Sequence, residues 1–532
     1  MSVSIKLAVI LPSFSWLTAE AGTGPSALIL SYLLHGNIPY YAGGHHDAIL
    51  RAKLERQPCL LRLTPDLYEH FYSSLRYSTQ ALPINTLLDT LLRPNADTEA
   101  SCTSTVQWRY EPERAIPHII LGNSLRAGGQ WACNTVPTSS EIGTLSYADM
   151  LSLPGYSYAE HYMAQNGKAL PEFIRPSRRE VADYYAAYPA MVGISDVIHL
   201  SEQVSGIDRM RNKFIIGSHG ITCRHLVLAT GTSSINLRPP PFLAPLESVC
   251  KASEPLLVIG SGFSAADIIL SAPPNRKIVH IYRWSPKDKP SPLKNCHYQA
   301  YPEYAAVYRQ MRLAATRRPD SNLASTPSTR RRSSIALVMR DWANVYQGLP
   351  NAEVVEVLSR EGGSLARIRT TTGQIIETRV GELAYVVGRR STLNYLAPSL
   401  HTEILGDLLE SPLQSTGPLI SGRTLRSKAE IDTEIGPNIF ITGSLTGDSL
   451  VRHAFGACAY AAGRIEAAAK RRPCSFCGEQ DGKNSRPSST PSSGNSTPYS
   501  MSPASRATIN NHEDLHLDRR KFVRSGERKS ED

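Results

Sequence analysis

The sequence predicts an α/β fold, because short apolar runs alternate with helical patterns through most of its 532 residues. This alternation is typical of parallel sheets whose strands are joined by crossover helices. The clearest example is EPLLVIGSGFSAADIILSAP, in which Leu256 to Ile259 form a strand, the glycines a turn, and Ser264 to Leu270 a helix. Further strands are predicted at KIVHIYRW, HLVLATG, ELAYVVG and NIFITG.

The turn after Ile259 has the spacing of a dinucleotide-binding loop. Gly260 permits the tight turn, Gly262 lets the backbone approach a pyrophosphate, and the small Ala265 lets helix and strand pack closely. The helix amino terminus would then present N–H groups to the phosphates. Arg283 follows the next strand, where a 2′-phosphate of NADP would be bound.

A second loop of this kind lies near the amino terminus, at Gly22, Gly24 and Ala27. Its helix is well defined, because Pro25 suits a first turn and Gly36 suits a helix stop. Two loops in one chain predict two Rossmann-like dinucleotide-binding domains, with FAD in the first and NAD(P)H in the second.

The strand before Gly22 is disturbed, since PSFSWLTAEA separates the apolar run KLAVIL from the glycine. We hypothesise that residues 12–21 are an insertion or a gene-model error. The alternative is a secretory signal with Lys6, an apolar run and a cleavage site at Ala21. Cleavage there would remove the strand, so a cytoplasmic location is favoured.

The ribose-binding acid expected near the second strand is also missing. The segment NIPYYAGGHHD offers Tyr40 and Tyr41 at that place, and Asp47 is a weak substitute.

Three segments indicate that the second domain is inserted in the first. HLVLATG ends at Thr230 and Gly231, where the chain would pass between the domains, and ELAYVVG ends at Gly388. NIFITG, ending at Gly443, would return to the first domain. Asp448 would then lie near a flavin ribityl or pyrophosphate, or it would simply cap a helix.

The predicted organisation is a first FAD-domain part (1–250), an NAD(P) domain (251–395), an FAD-domain return segment (396–470) and a disordered tail (471–532). A disordered insert is predicted at 315–334. Insert and tail are rich in Ser, Thr, Pro and charge, and cannot bury enough apolar surface to fold. Most of the net charge of +10 lies in these two regions, which argues against a nucleic-acid groove.

The nine cysteines are scattered without framework spacing, which favours a reducing compartment. Cys474 and Cys477 form a C-x-x-C in the tail, which is interpreted as incidental. A disulfide reductase is disfavoured because the predicted folded part has no such pair. No metal site is predicted. No apolar run reaches the ~18 residues that a membrane helix needs.

Five segments, in this order, resemble the oxidative stress-induced growth inhibitor family: LGNSLRAGGQW, TLSYADMLSLPGYSY, RPSRREVADYYAAY, YPEYAAVYRQM and FITGSLTGDSLVRHAFG. That family is similar to class B flavin monooxygenases, including ornithine and lysine N-hydroxylases. The resemblance covers most of residues 22–470, and the long low-complexity tail suits a fungal member.

The resemblance implies FAD, NADPH as reductant, and oxidation of a small molecule by oxygen through a flavin C4a-hydroperoxide. Gly128, Gly129 and Trp131 would approach the isoalloxazine, although Trp131 could also be a core aromatic. Asn295 and His297 fall loosely where N-hydroxylases contact nicotinamide and substrate, and the alternative is a pair of exposed loop residues.

Two functions therefore stay open. The first is an FAD- and NADPH-dependent monooxygenase with an unknown substrate. The second is a flavoprotein-fold regulator of growth or stress response with little or no turnover, which the family's association with proliferation implies. The FxGxxxHxxxY signature of typical flavin monooxygenases is absent from the sequence. Protein partners would use the 315–334 insert and the tail.

Overall fold

The computed structural model describes residues 15–62, 81–94, 103–316, 340–360, 363–406 and 419–470. Its strands are β1 (Ser15–Ala21), β2 (Asn37–Tyr41), β3 (Val106–Tyr110), β4 (His118–Leu121), β5 (Ile198–His199), β6 (Ile207–Met210), β7 (Lys213–Ile216), β8 (Ile221–Leu228), β9 (Ile235–Asn236), β10 (Leu256–Ile259), β11 (Ile278–Tyr282), β12 (Tyr346–Pro350), β13 (Glu353–Arg360), β14 (Gly363–Arg369), β15 (Ile375–Val380), β16 (Glu382–Tyr385), β17 (Arg389–Arg390), β18 (Glu434–Gly436) and β19 (Ile439–Ile441).

The α-helices are α1 (Pro25–Leu34), α2 (Ala48–Arg56), α3 (Pro83–Leu92), α4 (Ala148–Leu151), α5 (Tyr158–Asn166), α6 (Arg178–Val192), α7 (Ala244–Glu247), α8 (Phe263–Ser271), α9 (Pro302–Thr316), α10 (Trp342–Val345), α11 (Pro398–Leu405), α12 (Arg426–Ile431) and α13 (Phe455–Lys470). Short 3₁₀ turns are Pro112–Arg114, Gly129–Trp131, Ser195–Val197, Pro241–Leu243, Pro292–Asn295, Gly443–Thr446 and Val451–His453. None of the helices in the described ranges is long and apolar enough to cross a membrane.

The first sheet has the order β18-β19-β8-β1-β4-β5, and its strands from β19 to β5 are parallel. The antiparallel pair β6–β7 continues from β8, and β18 runs antiparallel to β19. Helix α13 packs against α1 and α3 over this sheet. β19 belongs to the same sheet as β1, so the last part of the described chain does return to the first domain.

Strand β1 shows that the disturbed segment itself feeds the first glycine loop, although it is not an apolar run. It ends at Ala21, directly before Gly22, and pairs with both β4 and β8. A parallel ladder uses only backbone groups, so two apolar neighbours can hold a segment of poor strand composition between them. KLAVIL lies outside the described residues, and the insertion hypothesis for 12–21 stays a prediction.

The second parallel strand is also not the one expected from the sequence. NIPYY forms β2, but β2 pairs antiparallel with β3 in a separate two-stranded sheet. The strand beside β1 is β4, with Leu121 opposite Ala21. The described elements between α1 and β4 therefore lie outside the parallel sheet, and a search for the next apolar run after α1 does not find β4.

The second sheet, of order β12-β11-β10-β16, is parallel throughout. Leu256 and Val258 face a core formed with α8 and α9, whereas Leu257 faces a core formed with the antiparallel sheet β13–β15. The short ribbon β9–β17 joins the chain where it leaves and re-enters the first unit. The predicted α/β class with two Rossmann-like units is thus confirmed; the tail 471–532 lies outside the described residues.

Candidate nucleotide and substrate cavities

The first glycine turn leaves the end of β1 and enters α1. Gly22 has a φ of +115°, and a Cβ there would lie 2.5 Å from the Ala229 carbonyl oxygen, so only glycine fits. A Cβ on Gly24 would meet no atom within 4 Å. Gly24 is the N-cap of α1, and no side chain in the described residues caps this helix. Its first N–H groups are therefore available to an anion.

A cavity of about 450 Å³ lies over this turn, within the range of roughly 300–1,000 Å³ typical of ligand pockets. Segments far apart in the sequence meet here. Its wall includes eight of the residues proposed from the sequence: Gly22, Gly24, Gly129, Trp131, Thr230, Gly231, Gly443 and Asp448.

Two further predicted residues lie behind this wall. Gly128 donates its N–H to the Thr23 carbonyl at 2.9 Å and is not a lining residue. Ala27 is fully buried and packs with Ile120 and Ala229, as expected for the small residue that lets helix and strand approach.

Two buried polar atoms of lining residues lack partners. Thr23 Oγ1 and Gln130 Nε2 have no hydrogen bond within the described parts of the chain. Buried polar groups are normally satisfied, so unpartnered polar atoms in two residues of this wall are compatible with a polar ligand. A dinucleotide offers hydroxyls, phosphates and ring atoms, and these residues fit such a group.

Asp448 lines this cavity, and its carboxylate also has protein partners. Its carboxylate accepts hydrogen bonds from Leu82 N–H at 2.9 Å, from Asn85 Nδ2 at 2.6 Å and from Arg426 Nη1 at 2.6 Å. The long helix that follows begins only at Phe455, so the helix-cap alternative is wrong. Asp448 instead fixes one wall of the cavity, with its carboxylate engaged by protein donors.

The residue directly after β4, where a ribose-binding acid is expected, is a glycine. Gly122 follows β4 directly, and a Cβ there would lie 2.5 Å from Thr23 Cγ2. Glu202 lies alongside, because its N–H donates to the Gly122 carbonyl at 2.9 Å. Glu202 lines the cavity, and its Oε2 lies 3.0 Å from His219 Nε2. This acid comes from the segment after β5, and no sequence signal marks it.

Asp47, the substitute suggested by the sequence, caps a helix. Its Oδ1 accepts from the N–H groups of Ile49 at 3.0 Å and Leu50 at 3.1 Å, which begins α2. Asp47 does not line the cavity. Tyr40, on β2, donates its hydroxyl to Glu111 at 2.8 Å, in a part of the molecule that also lies outside the cavity wall.

The second glycine turn repeats the geometry of the first. A Cβ on Gly260 would lie 2.4 Å from the Val386 carbonyl oxygen, whereas one on Gly262 would meet no atom within 4 Å. Ala265 is buried under the turn. Arg283 lies exposed directly after β11, the parallel neighbour of β10. Its position matches the place expected for a residue that contacts the ribose side of a nucleotide.

A buried histidine fixes this second turn from below. His280 Nε2 lies 2.6 Å from the Gly260 carbonyl and Nδ1 lies 2.7 Å from the Tyr346 hydroxyl. A carbonyl only accepts, so Nε2 carries the proton and Nδ1 accepts from Tyr346. Burial lowers the pKa of His280 to about 4, which keeps the ring neutral.

A larger cavity of about 1420 Å³ adjoins the first and shares Leu450 and Val451 with it. Its wall includes Phe263, the first residue of α8 in the second glycine turn, and Asn295. His297 does not line it; its Nδ1 accepts from the Gln299 N–H at 3.3 Å, on an exposed loop.

No family model matches the chain. Oxidative stress-induced growth inhibitor 1 from Mus musculus is 32% identical over 333 residues, which are 55% of this chain and 68% of the mouse protein. The Homo sapiens protein of the same name is 30% identical over 383 residues, 63% of this chain and 76% of the human protein.

The chain belongs to the oxidative stress-induced growth inhibitor family. The resemblance seen in the sequence is thereby confirmed. Solved structures similar to this growth inhibitor family member include a flavin-containing monooxygenase from Stenotrophomonas maltophilia, with a TM-score of 0.45 and 14% identity over 86% of this chain and 99% of that one. L-lysine 6-monooxygenase from Pseudomonas syringae has a TM-score of 0.42 and 14% identity over 86% and 99%.

The buried charges beside the larger cavity of this growth inhibitor family member converge on Asp89. Arg93 lies 3.3 Å from its Oδ1, and Arg452 donates from Nε to Oδ2 at 2.7 Å. Arg93 also donates to the Asp149 and Ser152 carbonyls at 3.0 and 2.9 Å. Both arginines line the cavity, and both are held by protein acceptors.

Two features noted in the sequence, the C-x-x-C pair and the insert, lie outside the described residues. Cys474 and Cys477 lie there, as does the 315–334 insert beyond Thr316, where α9 ends. Their roles stay predictions.

Proposed function

We propose that this member of the growth inhibitor family is a flavoprotein oxidoreductase. In this proposal the smaller cavity binds FAD, the second glycine turn binds NADPH, and a small molecule in the larger cavity is oxidised with oxygen. Two observations support the proposal. Each glycine turn leads into a helix amino terminus. The smaller cavity, at the first turn, adjoins the larger cavity, which reaches the second turn, and the two cavities share Leu450 and Val451. We propose a cytoplasmic location, because cleavage of a secretory signal at Ala21 would remove the strand that feeds the first glycine turn.

The chain's own residues would bind and orient the first cofactor. The first turn of α1 would receive the pyrophosphate, and Glu202 would accept hydrogen bonds from ribose hydroxyls. Gly129 and Trp131 would flank the ring system, with Thr23 and Gln130 supplying polar contacts. Bound flavin supplies the electron transfer and oxygen chemistry, while the protein positions it and excludes water.

The second turn would hold the reductant through the N–H groups at the start of α8. Gly262 leaves space for a phosphate, and Arg283 would pair with a 2′-phosphate. His280 holds the Gly260 carbonyl in place, so that the turn keeps its shape without a ligand. The oxygen-activating route implied by the family resemblance stays a prediction.

The decisive experiment is an absorbance spectrum of the purified full-length chain with FAD supplied, followed by anaerobic addition of NADPH. A band at about 450 nm that NADPH bleaches is the expected result. A version lacking residues 12–21 is measured beside it, because that version tests the insertion hypothesis. A folded protein without flavin in both versions would overturn the proposal.

A second candidate function is a regulator with little or no turnover. One observation favours it: Glu20, in the strand that feeds the first glycine turn, is buried with neither carboxylate oxygen bonded to a described residue. A strand disturbed in this way would weaken FAD affinity. The same spectrum separates the two functions, since a regulator of this kind folds without bleachable flavin. Partner proteins would then use the insert and the tail.

A further inference from the structure

Four aromatic side chains lie in a row that begins at the smaller cavity and leads into the protein. Trp131 lines that cavity, and its ring centroid lies 6.0 Å from that of Tyr185. The Tyr185 ring lies 5.1 Å from the Tyr184 ring, and the Tyr184 ring lies 6.0 Å from the Tyr156 ring. These centroid separations fall within the roughly 4.5–7 Å of packed aromatic pairs. Together the four residues form an aromatic chain.

Packed aromatic rings can relay electrons. The rate of electron transfer falls steeply with distance, so several short steps between neighbouring rings are faster than one long step. Tryptophan and tyrosine are among the side chains that lose one electron most readily. A one-electron oxidant in the smaller cavity would therefore take its electron from Trp131, because this ring lines the cavity.

Two members of the aromatic chain can pass an electron on but cannot hold the resulting vacancy. Tyr185 donates its hydroxyl to the Leu151 carbonyl at 2.9 Å, and Tyr184 donates to the Tyr156 carbonyl at 2.6 Å. A tyrosine that loses an electron must also lose its hydroxyl proton to form a neutral radical. A backbone carbonyl accepts a hydrogen bond but is too weak a base to take up that proton.

Tyr156, at the end of the aromatic chain, does have a base beside it. Its hydroxyl lies 3.3 Å from Nδ1 of His161 and has no other hydrogen-bond partner among the described residues, so we assign the hydroxyl as the donor. Burial lowers the pKa of His161, which keeps the ring neutral and allows Nδ1 to accept. Tyr156 and His161 are only 8% and 7% exposed, so the pair is shielded from reductants in solution.

We propose that the aromatic chain transfers one oxidising equivalent from the smaller cavity to Tyr156, which holds it as a neutral tyrosyl radical. The oxidant is flavin in its light-excited state, so the inference rests on the proposed function. In the net step the oxidant gains one electron, Tyr156 loses one electron, and the hydroxyl proton of Tyr156 moves to Nδ1 of His161. The chain would thereby remove oxidising equivalents from the cofactor site before they damage it.

The test illuminates the full-length protein with FAD bound and detects radicals by electron paramagnetic resonance after rapid freezing. The unaltered protein is expected to give a tyrosyl signal. Tyr156→Phe keeps the ring but removes the hydroxyl, and should abolish that signal. His161→Phe should lower it at least about 10-fold, because positioned proton acceptors contribute factors of this order or more. A full signal in either variant would overturn the proposal.

Tyr162→Phe is the matched control for these variants. Tyr162 lies on α5 with His161, and its ring is 6.5 Å from that of Tyr158, outside the aromatic chain. This variant should leave the tyrosyl signal unchanged. Loss of the signal in Tyr162→Phe would mean that the radical does not reside on Tyr156.

A second measurement does not need bound flavin. Azide radicals generated by pulse radiolysis oxidise tryptophan side chains, and absorbance then follows the conversion of tryptophan radical to tyrosyl radical. A fast phase of this conversion is expected in the unaltered protein and should be missing from both Trp131→Phe and Tyr156→Phe. A fast phase that is absent from the unaltered protein, or that persists in either variant, would overturn the inference.

The two measurements separate failure of this inference from failure of the proposed function. Bound flavin that gives no tyrosyl signal on illumination would overturn only the electron-transfer inference. A protein that binds no flavin but shows the fast phase would overturn the proposed function and leave electron transfer along the aromatic chain supported.

Discussion

The two glycine-turn units have the same local geometry but bury different titratable groups. In the first unit, Glu20 is buried in β1 without a described partner, and burial raises its pKa well above the usual range. In the second, His280 is buried with both ring nitrogens hydrogen-bonded. The first unit therefore carries an unsatisfied polar group under its turn, whereas the second uses its buried group to fix the turn.

This difference shows that a loop motif does not determine how well its site is supported. The β10 strand, LLVI, feeds the second turn with apolar side chains on both faces of its sheet. The β1 strand feeds the first turn with Thr18 and Glu20 in the core. If the two sites differ in nucleotide affinity beyond what their ligands explain, the supporting strand is the physical reason.

The largest expected effects come from the first glycine of each turn. Gly22→Ala forces a left-handed conformation on alanine, costing at least about 1–2 kcal/mol, and also clashes with the Ala229 carbonyl. We expect it to lose the flavin band. Gly260→Ala, which clashes with Val386, should keep flavin but lose bleaching by NADPH.

Gly24→Ala and Gly262→Ala are the matched controls, because a Cβ at either position meets no atom within 4 Å. Each should change the unfolding free energy by no more than about 0.5 kcal/mol while still weakening its own nucleotide. Gly22→Ala with a normal flavin band and an unchanged melting temperature would contradict the assignment of the first turn.

The next effect concerns stability. Glu20→Val removes a buried group without a described partner and should stabilise the protein by about 1–3 kcal/mol at neutral pH. The raised pKa means that the folded state binds the proton more tightly. Stability is therefore full below the unfolded pKa of about 4.3 and is lost as pH rises through the folded pKa.

Urea unfolding at about pH 5 and about pH 8 measures this dependence, which Glu20→Val should reduce. Glu55→Val, at an exposed position on α2, is the control and should leave the pH dependence unchanged. If Glu20→Val destabilises the protein, the carboxyl has a role that its described contacts do not reveal.

A smaller effect distinguishes the two acids proposed for ribose binding. Glu202→Gln should raise the Kd for FAD about 10-fold, or about 1.4 kcal/mol, because a charged acceptor is lost. Asp47→Asn should leave it unchanged, since asparagine also caps a helix well. Titration of the flavin-free protein with FAD gives both values, and the reverse order would assign the ribose to α2.

The smallest effect sharpens the assignment of the second unit. Arg283→Ala should raise the Kd for NADPH about 5-fold and leave that for NADH unaltered, because only NADPH carries the 2′-phosphate. The control is Arg312→Ala, which removes an exposed arginine on α9. Equal weakening of both nucleotides would show that Arg283 does not contact the 2′-phosphate.

The sequence by itself determined the elements whose signals are contiguous. Strand Leu256–Ile259 lies where it was predicted, and α1 starts at the predicted Pro25. Helix α6 begins with a capping box formed by Ser177 and Glu180, which are three residues apart in the sequence. In each case a strand, a turn or a cap is encoded within a few neighbouring residues, so the local sequence suffices.

Only the tertiary structure decided which strand lies beside β1, which acid borders the first cavity and where the larger cavity lies. No local pattern identifies β4 or Glu202, and the wall of the larger cavity is assembled from segments far apart in the sequence. The physical reason is that parallel ladders and cavity walls depend on contacts between residues far apart in the chain. Which residues pair in a ladder or line a cavity can therefore be read only from the folded chain, where those residues are neighbours in space.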